Sequence, residues 1–311
     1  MRALIVTSMY PSRERAAHGT FVRDQVEALR RLGEVEVELF AFTPGGAGAY
    51  TRAAREVRRS YGAQRFDVVH AHFGLTAWPA LRARGKAHAV TLHGTDLHHP
   101  RSRAVTLAAL PFQDLVATVS EPLASQLPAW ARRKRHAVLP AGVEVERFRP
   151  IPRTQARTAL GLDPEAPYLL FPADPRRPEK RYDRAAALAA TAPNGPNLLA
   201  LGNTDPHEVP LWVNAANAVL VPSERESFGL AVLEALACDV PVLATPVGIA
   251  PQALSGIAGA LCAPFDEASW RDALTPHLSG PDPRIEGRAR AERWSTDRMA
   301  ANVLAAWRSL I

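Results

Sequence analysis

The stretch from Val221 to Cys238 holds the residues best suited to chemistry. A short apolar run ends at Pro222, a polar loop follows, and the pattern predicts a helix starting near Ser227. The first backbone N–H groups of such a helix have no internal partners and its dipole is positive there, so the spot suits a phosphate. Gly229 lets an anion approach the backbone closely. Glu234 falls two turns after Ser227 on an otherwise apolar helix. A carboxylate there is costly to bury unless it is hydrogen-bonded, and a ribose diol is one partner that would satisfy it. Glu226, in the preceding loop, is placed to meet the hydroxyls of a second sugar. The same spacing also fits a capped helix with one exposed glutamate.

A second group of chemistry-bearing side chains is His70, His72, His93, His98 and His99. His70 and His72 share one strand face, which raises the reading of a metal-dependent hydrolase. No HExxH, cysteine pair or DxD pair accompanies them, and no carboxylates are patterned around them, so no metal site is expected. Cys238 and Cys262 cannot make a disulfide framework.

The elements that must position these groups alternate in type. Strands are predicted at Ala3–Thr7, Glu34–Phe40, Val68–Ala71, Ala89–Leu92, Leu115–Val119 and Ala137–Leu139. Phe21–Leu32 is an amphipathic helix, and most of the other gaps are helix-compatible. Near Pro140 the chain becomes rich in Pro and turn residues, which places a domain boundary close to residue 150. A second alternation follows: Tyr168–Phe171, a helix over about 179–190, Asn197–Leu201, a helix over about 208–216, Ala218–Val221, a helix over about 228–237 and Val240–Ala244. Residues 284–310 read as helical. Strand and helix in alternation imply parallel sheets with crossover helices. Two doubly wound α/β domains facing each other would place a ligand at the carboxyl ends of the strands.

The chain has 311 residues, of which 47% are apolar and 22% charged, so a largely disordered chain is excluded. No apolar run approaches the roughly 20 residues needed to cross a bilayer, and Ala3–Thr7 is too short for a signal-peptide core. A cytoplasmic protein is the expectation. The net charge of +6 is uneven. Residues 1–150 carry 22 Lys/Arg against 13 Asp/Glu, and residues 151–311 carry 15 against 18. The excess includes Arg52, Arg55, Arg58 and Arg59, then Arg132, Arg133, Lys134 and Arg135. Such runs attract anions or form solvated faces. No nucleic-acid partner is expected, because no helix-turn-helix, RRM or zinc-finger pattern presents these charges.

The frame Ser223-Glu224-x-Glu226-Ser227-Phe228-Gly229-Leu230, continuing to Glu234-Ala235-x-Ala237, resembles the signature of retaining glycosyltransferases of family 4. Further segments match in order. Met1–Ser8 with Tyr10-Pro11 and His18–Phe21 is similar to the family's first strand and glycine loop. Asp67–His72, Val90–Asp96, Val119–Glu121 and Leu139–Pro150 follow. Pro172–Tyr182 resembles its donor-phosphate loop, and Pro241–Gly248 its strand and glycine turn after the signature helix. The resemblance covers nearly the whole chain and matches a short-chain subgroup.

It implies the α/β GT-B fold: two facing Rossmann-like doubly wound domains with a C-terminal helix crossing back to the first. The acceptor-side domain would be residues 1–150 plus the helix of about 295–311, and the donor domain residues 151–294. It implies a metal-independent enzyme that takes a sugar from a UDP- or GDP-linked donor, a substrate rather than a cofactor. The acceptor would be a glycan, a lipid-linked or another anionic compound, reached by a protein peripheral at the inner membrane face. Lys180 with Arg176 or Arg177 would hold the donor diphosphate. Glu234 would bind the ribose and Glu226 the donor sugar. The N–H groups of Phe228, Gly229 and Leu230, after Ser227, would meet phosphate or sugar. Gly19 would approach the diphosphate from the first domain. His93 would hydrogen-bond the transferred sugar or relay a proton. Asp96 would act with it or cap the following segment. Because such enzymes react on one face of the sugar, no carboxylate nucleophile is nominated.

Three residues depart from the family pattern. Asp239 stands where Gly is usual, at a position that calls for a left-handed backbone. Ala141 and Asn217 stand where Asn and Asp are frequent. The span from Lys180 to Pro210 is short, so an element of the second domain is expected to be missing or reduced, which bears on the base pocket. The competing readings are an inactive relative that binds a sugar nucleotide or a membrane, the His-rich hydrolase above, and a sugar-nucleotide epimerase of related fold.

Overall fold

The computed structural model describes residues 1–311 except 134, 203, 280, 281 and 283. Lys134 of the second basic run therefore lies outside the described residues. The chain forms two compact units, Met1–Gly142 with Thr296–Ile311, and Val143–Ser295. The division falls within the Pro- and turn-rich stretch, between Gly142 and Val143.

The first unit is built on six strands: β1 (Arg2–Thr7), β2 (Glu36–Ala41), β3 (Arg65–His72), β4 (Arg84–Leu92), β5 (Leu115–Thr118) and β6 (His136–Val138). They pair in the order β2-β1-β3-β4-β5-β6, and every pairing is parallel. A parallel sheet needs cover on both faces. Ala3, Leu4, Ile5 and Val6 are accordingly all fully buried. The helix Thr20–Leu32 supplies Val22, Val26 and Leu29 to one face. The C-terminal helix Thr296–Arg308 joins the same core through Ala300, Val303, Leu304 and Trp307. Arg31 bonds Asp297 at 3.0 Å, and Arg308 bonds Glu34 at 2.5 Å.

The second unit holds β7 (Tyr168–Phe171), β8 (Asn197–Ala200), β9 (Ala218–Val221), β10 (Val242–Ala244) and β11 (Leu261–Cys262). Their order is β11-β10-β9-β7-β8, again all parallel. Leu169, Phe171, Leu188, Leu220, Leu243 and Trp270 form its core. Among the described residues the short span from Lys180 to Pro210 holds the helix Tyr182–Thr191, the edge strand β8 and the start of the helix Val209–Ala215. Among the described residues the second sheet has five strands where the first has six.

Two local expectations need correction. The helix expected near Ser227 starts at Leu230, because Gly229 takes a left-handed φ of 92° and breaks the turn. The stretch 284–310 is interrupted: it contains Arg288–Ala291, a short turn at Glu292–Trp294 and then Thr296–Arg308. Helix Ala47–Tyr61 carries Arg52, Arg55, Arg58 and Arg59 on its exposed side and buries only Ala53 and Val57. Among the described residues no helix is long and apolar enough to cross a membrane.

Two of the departures from the family pattern, Asp239 and Asn217, have local explanations, and Ala141 has none in the structure. Asp239 takes a left-handed φ of 55°. Its carboxylate accepts from the backbone N–H groups of Gly287 and Arg288, both at 2.8 Å. Glycine could adopt the backbone but could not cap the short helix that follows. The Asn217 amide oxygen accepts from Tyr168 N–H at 2.9 Å and Arg157 at 2.8 Å, and its NH2 donates to the His277 carbonyl at 2.9 Å. An aspartate could not make the last bond. Asp239→Ala should lower stability by about 2 kcal/mol, through strain at positive φ and the loss of two acceptor contacts. Asp239→Asn, which keeps an oxygen there, should stay close to the parent in urea denaturation. Equal losses in the two variants would refute the capping role.

Candidate functional site

Strand order decides which loops meet. In the second sheet β9 lies between β7 and β10, so the loops after these three strands become neighbours. The loop after β7 carries Arg176, Arg177 and Lys180. The loop after β9 carries Ser223 to Gly229. The loop after β10 carries Thr245 and Gly248.

At their junction Lys180 donates to both carboxylate oxygens of Glu226, each at 2.6 Å. The two side chains keep only 13% and 11% of their surface exposed. Ser223 Oγ adds a third hydrogen bond to Glu226, at 2.8 Å. Ser223 is itself held by Thr245, whose hydroxyl donates to the Ser223 carbonyl at 2.5 Å. Glu224 N–H reaches the Glu179 carbonyl at 2.9 Å and ties the two loops together. Gly248 allows a close backbone approach. A Cβ there would lie 2.3 Å from the Phe228 carbonyl oxygen, and the neighbouring Ile249 N–H donates to that same oxygen at 2.6 Å.

The remaining donor-side residues are placed less directly. Gly229 caps the helix Leu230–Ala237, whose first N–H groups have no helical acceptor. Phe228 is buried, and Ser227 and Leu230 are half-buried. Glu234 is half-buried on that helix, between buried Leu233 and Ala235. Arg176 is 85% exposed and paired with Asp174 at 2.7 Å. This guanidinium holds the Asp174 carboxyl down at about 2. Arg177 pairs with Glu179 at 2.7 Å. Structure thus brings Lys180, Glu226 and the Gly229 turn together, and leaves both arginines on carboxylates of their own loop.

In the first unit β3 and β4 are neighbours, with His70 beside Ala89 and His72 beside Thr91. The strand ends therefore stack three imidazoles. His70 and His72 lie 4.9 Å apart in near-parallel rings, and His72 and His93 lie 5.3 Å apart. The Phe21 ring packs against His93 in a tilted arrangement, with centroids 4.9 Å apart. His70 accepts from Trp307 Nε1–H at 2.8 Å and contacts Thr91 Oγ1 at 2.8 Å. His72 Nδ1 meets His93 Nε2 at 3.1 Å. Burial lowers the pKa of all three, His72 to about 4 and the other two well below the ordinary value. They are neutral at pH 7. Four of their six ring nitrogens face one another, Thr91 or Trp307: both of His70, Nδ1 of His72 and Nε2 of His93. Among the described residues no group of three or more His, Cys, Asp and Glu is arranged to hold one.

Asp96 is fully buried. Its carboxylate accepts from His93 N–H at 2.9 Å and Gly74 N–H at 3.3 Å. Burial raises its carboxyl to about 6. It fastens the loop that carries His93 to the loop after β3, which is a positioning role. Gly19 has φ 71°, and a Cβ there would lie 2.2 Å from the Met9 carbonyl carbon. The glycine is required by the chain's own crossing.

The family described as Glycosyltransferase Family 4 matches residues 5–147, and the family described as Glycosyl transferases group 1 matches residues 178–294. A D-inositol 3-phosphate glycosyltransferase of Actinosynnema mirum is 30% identical over 85% of this chain and 77% of the relative. The chain belongs to glycosyltransferase family 4. A relative of the same name from Frankia alni is 30% identical over 97% of the chain and 88% of its own length. Among solved structures, sucrose-phosphate synthase from Thermosynechococcus elongatus superposes with a TM-score of 0.76 at 18% identity, covering 100% of this chain and 99% of that one. Anabaena HepE in complex with UDP-glucose gives 0.72 at 15% identity over 99% of this chain and 100% of that one. These likenesses establish the GT-B fold of this glycosyltransferase.

Sequence reasoning missed Ser223 and Thr245 as supports of Glu226, and Tyr50, which hydrogen-bonds Ser8 and lies within electrostatic reach of Asp96. Ser223 stood in the signature frame. The alternation of His70 with His72 and of Ala89, Thr91 and His93 was the available signal for the imidazole stack.

The stack has a pH consequence. His72 takes up a proton near pH 6.5 when unfolded and near 4 when folded, so its stabilisation is present above 6.5 and lost as pH falls towards 4. His70 and His93 act in the same direction. Asp96 opposes them: its raised carboxyl contributes most below about 4 and loses that contribution as pH rises through about 6. Three imidazoles outweigh one carboxyl. The first unit should therefore lose stability between pH 7.5 and 5, by about 2 kcal/mol from His72 alone. Urea midpoints of the parent and His72→Gln across that range check this. The variant's dependence should be shallower by that amount, and parallel curves would exclude a neutral buried His72.

Proposed function

We propose that this glycosyltransferase is a retaining, metal-independent enzyme that takes its sugar from a nucleoside diphosphate donor. The observation that carries the reading is the Lys180–Glu226 pair, held at 2.6 Å beside the Gly229 turn. A cation and a hydroxyl-binding carboxylate placed together suit a phosphate and a sugar joined to each other. In this reading Lys180 takes the diphosphate with Arg176 or Arg177, whose exposed pairs reorient at little cost. Their charge supplies what a metal ion would otherwise supply at the leaving phosphate. Glu226 holds hydroxyls of the sugar, and Glu234 the ribose. The N–H groups of Phe228, Gly229 and Leu230, next to Ser227, face the phosphate or sugar. His93 hydrogen-bonds the transferred sugar, and Asp96 keeps the His93 backbone in place.

Further support comes from the similar HepE structure, which contains UDP-glucose, and from the signature frame, which resembles that of retaining enzymes. UDP is the first donor base to test, with GDP next. The acceptor is anionic in this reading. The excess of basic residues in the first 150 positions attracts one by Coulomb force. Relatives named for inositol 3-phosphate point to a phosphorylated polyol or a similar compound.

The test is thermal unfolding with UDP, GDP, ADP and TDP, free and as sugar conjugates, with and without EDTA. A ligand bound only by the folded state at 100 times its Kd stabilises by about 2.7 kcal/mol. One diphosphate should raise the melting temperature equally in both conditions. Glu234→Ala should abolish that rise while melting near the parent temperature without ligand. No shift with any nucleotide, or a shift that EDTA removes, would sink the reading.

A further inference from the structure

The imidazole stack in the first unit determines which nitrogen of His93 is free to act. Trp307 Nε1–H can only donate, so His70 Nδ1, 2.8 Å away, must be the acceptor. His70 therefore carries its proton on Nε2 and donates it to Thr91 Oγ1 at 2.8 Å. This locks the innermost ring between the C-terminal helix and β4.

His72 stacks on that ring, and its Nδ1 meets His93 Nε2 at 3.1 Å. Both rings are neutral at pH 7, so one N–H serves this contact, and either ring could supply it. His72 Nε2 decides between them. It is buried and faces no protein partner among the described residues. Were the proton of His72 on Nε2, a buried N–H would stand unpaired, and unpaired buried donors are rarer than unpaired acceptors. With the proton on Nδ1, His72 donates to His93 and only a lone pair is left over.

We propose that His72 is a positioning residue that donates from Nδ1 to His93 Nε2 and so holds His93 as an Nδ1–H donor towards the ligand. His93 then offers a proton and no lone pair. Its partner must be an oxygen that accepts, such as a sugar hydroxyl or phosphoryl oxygen. His93 is thereby excluded as the base that deprotonates the acceptor, because Nδ1 is already protonated and Nε2 is engaged by His72. The role towards a sugar rests on the donor-sugar reading above, whereas the tautomer does not.

The experiment is long-range proton–nitrogen correlation NMR on the free protein labelled with 15N-histidine, with His72 and His93 assigned by comparison with His72→Asn and His93→Gln. Neutral Nδ1–H and Nε2–H rings give distinct correlation patterns. At pH 7.5, Nδ1–H is expected for His72 and His93, and Nε2–H for His70. An Nε2–H pattern at His93 overturns the proposal. The second arm compares His72→Asn, whose amide can still donate near the Nδ1 position, with His72→Leu, which cannot. In His72→Leu no donor holds His93 Nε2, so the single Nδ1–H pattern of His93 should give way to a mixture of the two tautomers. It should also lower kcat/KM by about tenfold with whichever donor sugar the nucleotide panel identifies. His72→Asn should stay within about threefold of the parent. Equal losses with an unchanged His93 pattern overturn it as well. Should His72→Leu fail to fold, the parent and Asn spectra still decide the tautomer. Should no donor turn over, the functional reading fails while the NMR result stands by itself.

Discussion

At the carboxyl end of a parallel strand the hydrogen-bond ladder stops, and the last backbone groups need other partners. Both units meet this constraint in the same way: the loop leaving one strand bonds back to the end of its neighbour. Thr245 N–H takes the Val221 carbonyl, Leu201 N–H takes that of Phe171, and Ala263 N–H that of Ala244. In the first unit Phe73 N–H takes the Thr91 carbonyl and Leu139 N–H that of Thr118. These bonds fix where each loop begins. Glu226 follows Val221 by five positions, His93 follows Thr91 by two and Lys180 follows Phe171 by nine, and side chains far apart in sequence meet there at 2.6 to 3.1 Å.

The two units manage polar groups at these ends differently. The second gathers opposite charges, Lys180 against Glu226 with Ser223 and Thr245 behind. Removing either charge alone leaves the other nearly buried and unpaired, so the pair is held together by the cost of separating it. The first unit gathers neutral imidazoles and one buried carboxyl, and relies on stacking and hydrogen bonds. A charge pair can exchange partners when an anionic ligand arrives. An imidazole stack closed by Trp307 cannot, and it holds one arrangement in advance. The charge pair of the second unit suits the capture of a charged group, and the imidazole stack of the first suits the presentation of a single donor.

Much of this was legible in the sequence where the pattern was local. Tyr168–Phe171, Ala218–Val221 and Phe21–Leu32 stand out because compact apolar runs or a regular helical face lie between turn residues. The left-handed backbone at Asp239 was legible from the signature helix that precedes it. Helix Ala47–Tyr61 was not, because its buried face is little more than Ala53 and Val57 among arginines. The helix start was misplaced from Leu230 to Ser227, since the polar loop reads equally well as a first turn until Gly229 adopts positive φ. In the site, the residue types were legible and the partners were not. Lys180 and Glu226 lie 46 positions apart. Their meeting depends on β7 and β9 being neighbours, a fact of sheet order that no local pattern encodes.

The same reasoning bears on why a histidine occupies each place in the stack. On the face shared by β3 and β4, alternate positions carry His70 and His72 beside Ala89 and Thr91. A sheet interior ordinarily excludes polar rings there, because each carries a donor and an acceptor that need partners. His70 is satisfied at both nitrogens, by Trp307 and Thr91. His72 is satisfied at one, and that one is spoken for by His93. An apolar side chain at His72 would pack the same space without an unpaired nitrogen. A histidine at this place has a physical rationale only if the contact it makes with His93 does something that packing alone does not. That contact ends at the loop fastened by Asp96, the one place in the stack where a ring keeps part of its surface in the open.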